Sequence, residues 1–185
     1  CLAREGDALE RLAQAQVVAF DKTGTLTEGR PSVSAIEILP GCGMGRRGLF
    51  SLVASAESLS EHPLGEAVVD AARAEDVALD EPSSFSMRPG LGVVAVVGGR
   101  EVAVGNASLM DTLELGGDAW KCDGVSAQIA QGATVSFVAV DGEPAGYVAL
   151  SDTLRFEAAE SVASIRSLGL DAAMLTGDTK AAALS

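Results

Sequence analysis

Apolar residues at the two ends of the chain form short runs of strand length. Residues 17–20 read Val-Val-Ala-Phe and lead directly into Asp21. An uninterrupted apolar run of this kind is typical of a strand that is buried on both faces in a parallel sheet. Residues 171–175 predict another such strand, and the amphipathic pattern over 153–169 predicts a helix before it. Both ends of the chain therefore indicate an α/β sheet.

The middle of the chain follows a different pattern. Residues 28–40 predict one extended segment, and residues 49–58 and 62–75 have the apolar spacing of helices. Two pairs of alternating strands follow, one turning at Gly98-Gly99 and the other at Asp141-Gly142. Hairpins of this type predict an antiparallel sheet.

These patterns divide the chain into two predicted units. Residues 1–28 and 150–185 form a discontinuous and partial α/β domain of Rossmann-like type, and residues 29–149 form an α+β module inserted into it. Within the module, residues 107–113 and 118–131 predict two more helices. The glycine-rich stretch 41–48 predicts a connecting loop with its two arginines in solvent.

Composition and charge restrict the possible partners. The chain has 185 residues, 48% of them hydrophobic, and a formal net charge of −13. This charge argues against binding to nucleic acid, because no basic stripe is available to meet a phosphate backbone. A single nucleotide is still allowed, since a few local donors and a metal ion suffice. No window approaches the ~18 consecutive apolar residues of a membrane span, so the chain itself is expected to be soluble.

The run Asp21-Lys22-Thr23-Gly24-Thr25 is the strongest candidate for chemistry. A carboxylate at the carboxyl end of a parallel strand lies where α/β sheets bind their ligands. It can act as a nucleophile toward a phosphoryl group, and Mg²⁺ is the usual ion that brings the two anions together. Gly24 allows a turn whose N–H groups face the phosphate. An ordinary turn after a strand is the alternative for Asp-Lys-Thr-Gly alone.

Asp21 to Gly29 (DKTGTLTEG) resembles the phosphorylation motif of the P-type ATPases, and further segments resemble the heavy-metal-transporting branch of that family. These are Ser60-Glu61-His62-Pro63-Leu64, Gly90-Leu91-Gly92, Gly105-Asn106, Asp152-Thr153-Leu154-Arg155 and Met174-Leu175-Thr176-Gly177-Asp178. The matches cover nearly the whole chain in the family's order. The resemblance implies a haloacid-dehalogenase-like phosphorylation domain with an inserted nucleotide-binding domain.

The resemblance also implies the catalytic residues. Asp21 takes the γ-phosphoryl group of ATP, within a catalytic set of Asp21, Lys22, Thr23, Thr176, Gly177 and Asp178. Asp21 and Thr23 are the implied Mg²⁺ ligands. Haloacid-dehalogenase-type phosphatases have a second Asp where this chain has Thr23, which cannot shuttle protons near neutral pH. A phosphoenzyme in this chain is therefore expected to persist, as a pump requires.

The nucleotide site implied by the resemblance lies in the inserted module. His62, the only histidine of the chain, is expected to orient the adenine, and Glu57 to contact its amino group. Gly90, Gly92, Gly105 and Asn106 complete the implied set. Simpler alternatives are a satisfied core or surface residue for His62, a solvated carboxylate for Glu57, the start of a hairpin for Gly90 and Gly92, and a helix N-cap for Asn106.

The predicted function is that of the ATP-binding and autophosphorylating portion of a pump for a heavy-metal cation. The parent protein is expected in a membrane, with this monomeric portion on the cytoplasmic side and an actuator domain as its partner. The isolated chain is expected to bind ATP weakly and turn over little. Copper, zinc, cadmium and cobalt all stay open as cargo. Alternatives are a soluble haloacid-dehalogenase-like phosphatase with a cap domain, and an ATP-sensing module without turnover.

One further expectation concerns the junction of the two units. Asp152 and Arg155 lie three residues apart there, and they are expected to form a local ion pair that steadies the hinge. An exposed pair of this kind contributes only about 0.5 kcal/mol.

Overall fold

A computed structural model describes residues 15–175 of the chain. The first sheet of this part is a parallel pair, made of β1 (Val17–Asp21) and β8 (Asp171–Leu175). The register places Asp21 opposite Leu175, at the carboxyl ends of both strands. A π-helical turn, Lys22–Leu26, follows β1 directly. The predicted parallel strands at the two ends of the chain are thereby confirmed.

The second sheet has six antiparallel strands in the order β2-β7-β6-β5-β4-β3. The predicted hairpins at Gly98-Gly99 and Asp141-Gly142 are confirmed as the β4–β5 and β6–β7 turns. The strands are β2 (Thr27–Ile38), β3 (Ser84–Arg88), β4 (Gly92–Val97), β5 (Arg100–Gly105), β6 (Thr134–Val140) and β7 (Glu143–Leu154).

Helices cover both faces of this sheet. They are α1 (Arg46–Glu57), α2 (Pro63–Ala74), α3 (Ala107–Thr112), a 3₁₀ turn (Asp118–Trp120), α4 (Asp123–Ala130) and, beyond the sheet, α5 (Ala158–Ser167). Helices α1 and α2 pack on one face around Phe50 and Val68, and Trp120 and α3 pack on the other. Alternate residues of β6 point to opposite faces of the sheet: Val138 packs in the core on the α1 side, and Phe137 packs in the core that contains Trp120. The period of two in the strand sequences thus builds two cores on one sheet.

The chain passes between the two sheets through the long strands β2 and β7. They pair with each other from Thr27↔Leu154 to Ile38↔Gly146. Both strands run across the junctions at which the sequence divides the chain, near residues 28 and 150. The peptide chain therefore leaves β1 and returns toward β8 as one hydrogen-bonded ribbon.

Three predicted helices have different bounds in the structure. Residues 153–154 belong to β7, so the helix predicted from 153 begins only at Ala158. The helix predicted over 118–131 is split, because Trp120 folds into the core through a 3₁₀ turn and α4 starts at Asp123. Helix α1 already begins at Arg46, inside the predicted loop.

Arg46 is not simply solvated as predicted. Its guanidinium forms a two-pronged hydrogen bond with the carboxylate of Glu75, at 2.8 and 2.9 Å, and lies over the ring of Phe50. This contact ties the start of α1 to the residue after α2. Within residues 15–175, no helix is long and apolar enough to cross a membrane.

Candidate functional site

One cavity collects all six residues predicted for nucleotide binding. It has a volume of about 270 Å³ and lies between the α1–α2 connection, the β3–β4 turn and the start of α3. Its walls include Glu57, His62, Gly90, Gly92, Gly105 and Asn106. These positions are up to 49 residues apart in sequence, from 57 to 106, and the fold brings them to one place.

Glu57 and His62 enter the cavity from neighbouring helix ends. Glu57 is the last residue of α1, and His62 is the N-cap of α2. The His62 Nδ1 accepts a hydrogen bond from the Leu64 N–H at 3.2 Å. In the neutral imidazole the proton is therefore on Nε2, which is left to donate to a ligand. The ring itself is exposed and free to stack.

Burial governs the charge of Glu57. Its carboxylate is largely removed from solvent, and this desolvation raises the pKa of Glu57 above its ordinary value, while a hydrogen bond with Ser60 lowers it in part. A carboxylate kept in a cavity at such a cost is typical of a functional site rather than of a solvated helix end. The partial burial of Glu57 favours the binding role over the alternative of a solvated carboxylate.

Gly92 and Gly105 face each other across β4 and β5. A Cβ atom on Gly92 would lie 2.1 Å from the Val104 carbonyl oxygen and 2.5 Å from the Gly105 Cα. One on Gly105 would lie 2.3 Å from the Leu91 carbonyl oxygen. The two strands approach each other too closely for any side chain, so this glycine pair is required by strand packing.

Gly90 is different, because a Cβ atom there would meet nothing within 4 Å. Its φ of +73° and the 2.9 Å hydrogen bond from the Leu91 N–H to the Arg88 carbonyl form a type II turn, with Pro89 at its second position. Gly90 also lines the cavity. Gly90 is thus the glycine of the set that leaves room for a ligand.

Asn106 holds two walls of the cavity together. Its Nδ2 donates to the Gly90 carbonyl at 2.8 Å, and its Oδ1 accepts from the Leu109 N–H at 3.1 Å. The predicted alternative of a helix N-cap is therefore confirmed for Asn106. The same side chain fixes the Gly90 turn, so capping and shaping the cavity are one role.

Sequence reasoning missed Arg88. It is the only lysine or arginine among the described residues that line the cavity. No described residue forms a hydrogen bond or ion pair with its guanidinium. The sequence signal was its place directly before Pro89-Gly90, in a chain with just 13 basic residues.

Asp21 is exposed at the carboxyl end of β1, as predicted. The backbone of Lys22 and Thr23 follows in the π-helical turn, and Gly24 has the positive φ, +77°, that the turn requires. Strand β8, which pairs with β1, ends at Leu175. The predicted catalytic residues Thr176, Gly177 and Asp178 lie outside the described residues.

Asp152 and Arg155 do not form the predicted ion pair with each other. Asp152 accepts hydrogen bonds from the buried Thr27 hydroxyl and from the Arg30 N–H at 3.1 Å. Arg155 donates to the carbonyls of Thr27 at 3.0 Å and Gly24 at 3.2 Å. Asp152 lies in β7 and Arg155 directly follows that strand. Together the two side chains bind the loop after Asp21 and the start of β2, into which that loop leads. The pair therefore fastens that loop to the returning strand.

Asp21 suits a magnesium ion that is shared with a phosphate. Among the described residues, no group of three or more His, Cys, Asp or Glu side chains could enclose a metal ion. Mg²⁺ commonly takes one or two carboxylates, and fills its other positions with water and phosphate oxygens. An exposed carboxylate at a strand end fits that mode of binding.

Comparison with known proteins agrees with this geometry. Residues 15–184 match the haloacid dehalogenase-like hydrolase family. The chain is 38% identical over 181 residues to copper-transporting ATPase 2 of Rhizobium meliloti, covering 97% of this chain and 21% of that protein. It is 34% identical to the copper-exporting P-type ATPase of Bacillus subtilis, covering 97% of this chain and 22% of that protein.

A solved structure of a zinc-transporting PIB-type ATPase in the E2.Pi state matches with a TM-score of 0.70 and 34% identity. The match covers 98% of this chain and 29% of the other. The chain spans about a fifth of the length of the curated relatives it matches. The predicted haloacid-dehalogenase-like fold is confirmed, and the chain belongs to the haloacid dehalogenase-like hydrolase family, with copper- and zinc-transporting P-type ATPases as its homologues.

Proposed function

We propose that this chain is the ATP-binding and autophosphorylating portion of a P-type ATPase that moves a heavy-metal cation across a membrane. The observation that supports it is the convergence of Glu57, His62, Gly90 and Asn106 on one cavity that Arg88 also lines. The names of the homologues supply the transported metals, copper and zinc. ATP and Mg²⁺ are the proposed ligands.

The cavity offers a complementary group for each part of ATP. The imidazole of His62 is exposed, so its face can stack on the adenine. The hydrogen bond from the Leu64 N–H to its Nδ1 fixes the orientation of the ring. The Glu57 carboxylate can accept from the exocyclic amino group, which is a donor. Arg88 can meet the phosphates, where a cation matters because the chain has a net charge of −13.

The proposed chemistry takes place at Asp21. A carboxylate oxygen of Asp21 attacks the γ-phosphorus, forming an acyl phosphate, and the bond from that phosphorus to the bridging oxygen breaks, so that ADP leaves with the electron pair. Bound Mg²⁺ would supply the positive charge that offsets the approaching anions. The N–H groups of the Lys22–Leu26 turn would donate hydrogen bonds to the phosphoryl oxygens.

The wider setting is proposed with it. Residues 1–28 and 150–185 would form the phosphorylation domain, and residues 29–149 the inserted nucleotide-binding domain. The remaining proposed catalytic residues are Lys22, Thr23, Thr176, Gly177 and Asp178. The parent protein would lie in a membrane, with this portion in the cytosol and an actuator domain as its partner. The isolated chain would bind ATP as a monomer with little turnover.

Two measurements test the proposal at separate steps. Calorimetric titration of the 185-residue chain with ATP should give weak, saturable binding, which His62→Gln weakens by about tenfold, the loss expected for one good contact. In the full-length parent, labelled ATP should leave an acid-stable, hydroxylamine-labile phosphate that Asp21→Asn abolishes. Binding without labelling would favour an ATP sensor. Hydrolysis of simple phosphate esters by the chain alone would favour a phosphatase.

A further inference from the structure

Gly65 lies buried in the first turn of α2, directly against the end of α1. A Cβ atom on Gly65 would lie 2.5 Å from the Glu57 Oε2, and 2.9 Å from both the Cβ and the Oγ of Ser60. Distances below about 3 Å are not tolerated between such atoms, so any side chain at this position must displace the carboxylate. The Glu57 carboxylate therefore packs directly against the backbone of α2 at Gly65, where there is no side chain.

Ser60 holds the same carboxylate from the other side. It lies in the connection between α1 and α2, where its N–H donates to the Glu57 carbonyl at 2.9 Å. Its Oγ accepts the His62 N–H at 3.3 Å and is hydrogen-bonded to the Glu57 carboxylate. One hydroxyl thus couples the proposed adenine-stacking residue to the proposed amino-group acceptor.

The position of the carboxylate is costly to maintain. Desolvation raises the pKa of Glu57, and the hydrogen bond from Ser60 offsets only part of that effect. A flexible glutamate at a helix end could turn into solvent and avoid the cost, so something must hold it in the cavity. Gly65 leaves the space and Ser60 supplies the hydrogen bond.

We propose that Gly65 and Ser60 are positioning residues that set the cavity's preference for a 6-amino purine, by holding the Glu57 carboxylate against the wall of the cavity. This inference rests on the proposed nucleotide binding. A 6-oxo purine such as that of ITP presents an acceptor where adenine presents a donor, and a fixed carboxylate repels it. A displaced carboxylate no longer distinguishes the two.

The test compares ATP and ITP binding by calorimetry in the 185-residue chain and in three single variants. Gly65→Ala should weaken ATP binding by about tenfold, the loss of one hydrogen bond to a charged acceptor, and should strengthen ITP binding, because the displaced carboxylate no longer repels the 6-oxo group. Ser60→Ala should act in the same direction by about threefold. Gly48→Ala is the matched control, because Gly48 also lies in the first turn of a helix and its added Cβ would meet nothing within 4 Å.

A double-mutant cycle separates positioning from general damage. In a Glu57→Ala background, Gly65→Ala should change ATP affinity by less than about twofold, because no carboxylate remains to be displaced. The melting temperature of Gly65→Ala should stay within about 3 °C of the parent, since alanine favours the helix while the contact with Ser60 opposes it.

Each outcome decides between the two proposals. The inference is overturned if Gly65→Ala binds ATP as Gly48→Ala does, or if its loss persists in the Glu57→Ala background. If the unmodified chain binds no ATP, or Glu57→Ala leaves affinity unchanged, the proposed function fails first. Titration of the Glu57 carboxyl carbon by NMR supplies the second readout: Ser60→Ala should shift it to higher pH.

Discussion

Replacing Gly92 by alanine places a methyl group where the backbone of the neighbouring strand already runs. The new Cβ would lie 2.1 Å from the Val104 carbonyl oxygen and 2.5 Å from the Gly105 Cα. Both are backbone atoms, which cannot turn aside as the end of a side chain can. The strands β4 and β5 would have to separate at the Gly92–Gly105 pair, and the φ of +147° at Gly92 adds strain for any L-residue.

The expected cost follows from these two effects. Unfavourable backbone conformation costs about 1–3 kcal/mol, and overpacking of a tight contact costs about as much again. We therefore expect Gly92→Ala to lose about 4 kcal/mol of unfolding free energy and about 10 °C in melting temperature for a chain of this size. Gly90→Ala meets no atom, and its φ of +73° costs only about 1–2 kcal/mol.

The two glycines can be compared by urea denaturation and by ATP titration of the same samples. Gly92→Ala should lose about 4 kcal/mol of stability and Gly90→Ala only about 1–2 kcal/mol, while Gly90→Ala, in the wall of the cavity, should weaken ATP binding. Equal stability of the two variants would refute the reasoning. So would a stable Gly92→Ala protein that has lost only nucleotide binding.

Glu57→Gln should raise the melting temperature at pH 7, because burial raises the pKa of Glu57 and the ionised form destabilises the fold as pH rises through that pKa; below pH 4.5 the two proteins should melt alike. A lower melting temperature at pH 7 would contradict this. Arg88→Gln should weaken ATP binding about threefold and flatten its salt dependence, with adenosine binding unaffected. Identical salt slopes would exclude Arg88 as a phosphate contact. Asp152→Asn should cost about 1–2 kcal/mol in urea, since it weakens the hydrogen bonds from Thr27 and from the backbone of β2. The exposed control Asp70→Asn should change stability by less than about 0.5 kcal/mol. Equal losses of stability in the two variants would contradict a stabilising role for the Asp152 hydrogen bonds.

Local patterns were sufficient for the elements that local patterns determine. The turns at Gly98-Gly99 and Asp141-Gly142 lie where glycine and aspartate permit a positive φ, so their hairpins could be predicted. Strand β3 could not be identified as a strand, because its residues Ser84–Arg88 are mostly exposed at the edge of the sheet and lack an apolar alternation.

Long-range pairing decided the bounds that the sequence missed. Residues 153–154 have a helical pattern, yet they extend β7 because β2 offers backbone partners as far as Thr27. The helix predicted over 118–131 is interrupted at Trp120. Packing of its ring on Phe137, with ring centroids 5.0 Å apart, stabilises the fold more than a continued helix would. Neither partner is near in sequence.

The site divides in the same way. The family resemblance supplied the six cavity residues, and the cavity joins them. It could not show that Gly92 is fixed by strand packing whereas Gly90 faces open space, because the two glycines look alike in sequence. Gly65, Ser60 and Arg88 are visible only from the contacts they make or leave unmade.

The central claim is that the cavity between α1, α2 and the β3–β4 turn binds ATP. NMR titration of the 185-residue chain tests it most directly. We predict saturable shifts of the backbone amides at Gly90, Gly92 and Asn106 and of the His62 imidazole, with smaller changes elsewhere. A second, more open depression lies along β2, lined by residues 34–38 and Arg46. Saturable shifts confined to that depression, or no shifts at millimolar ATP, would contradict the account.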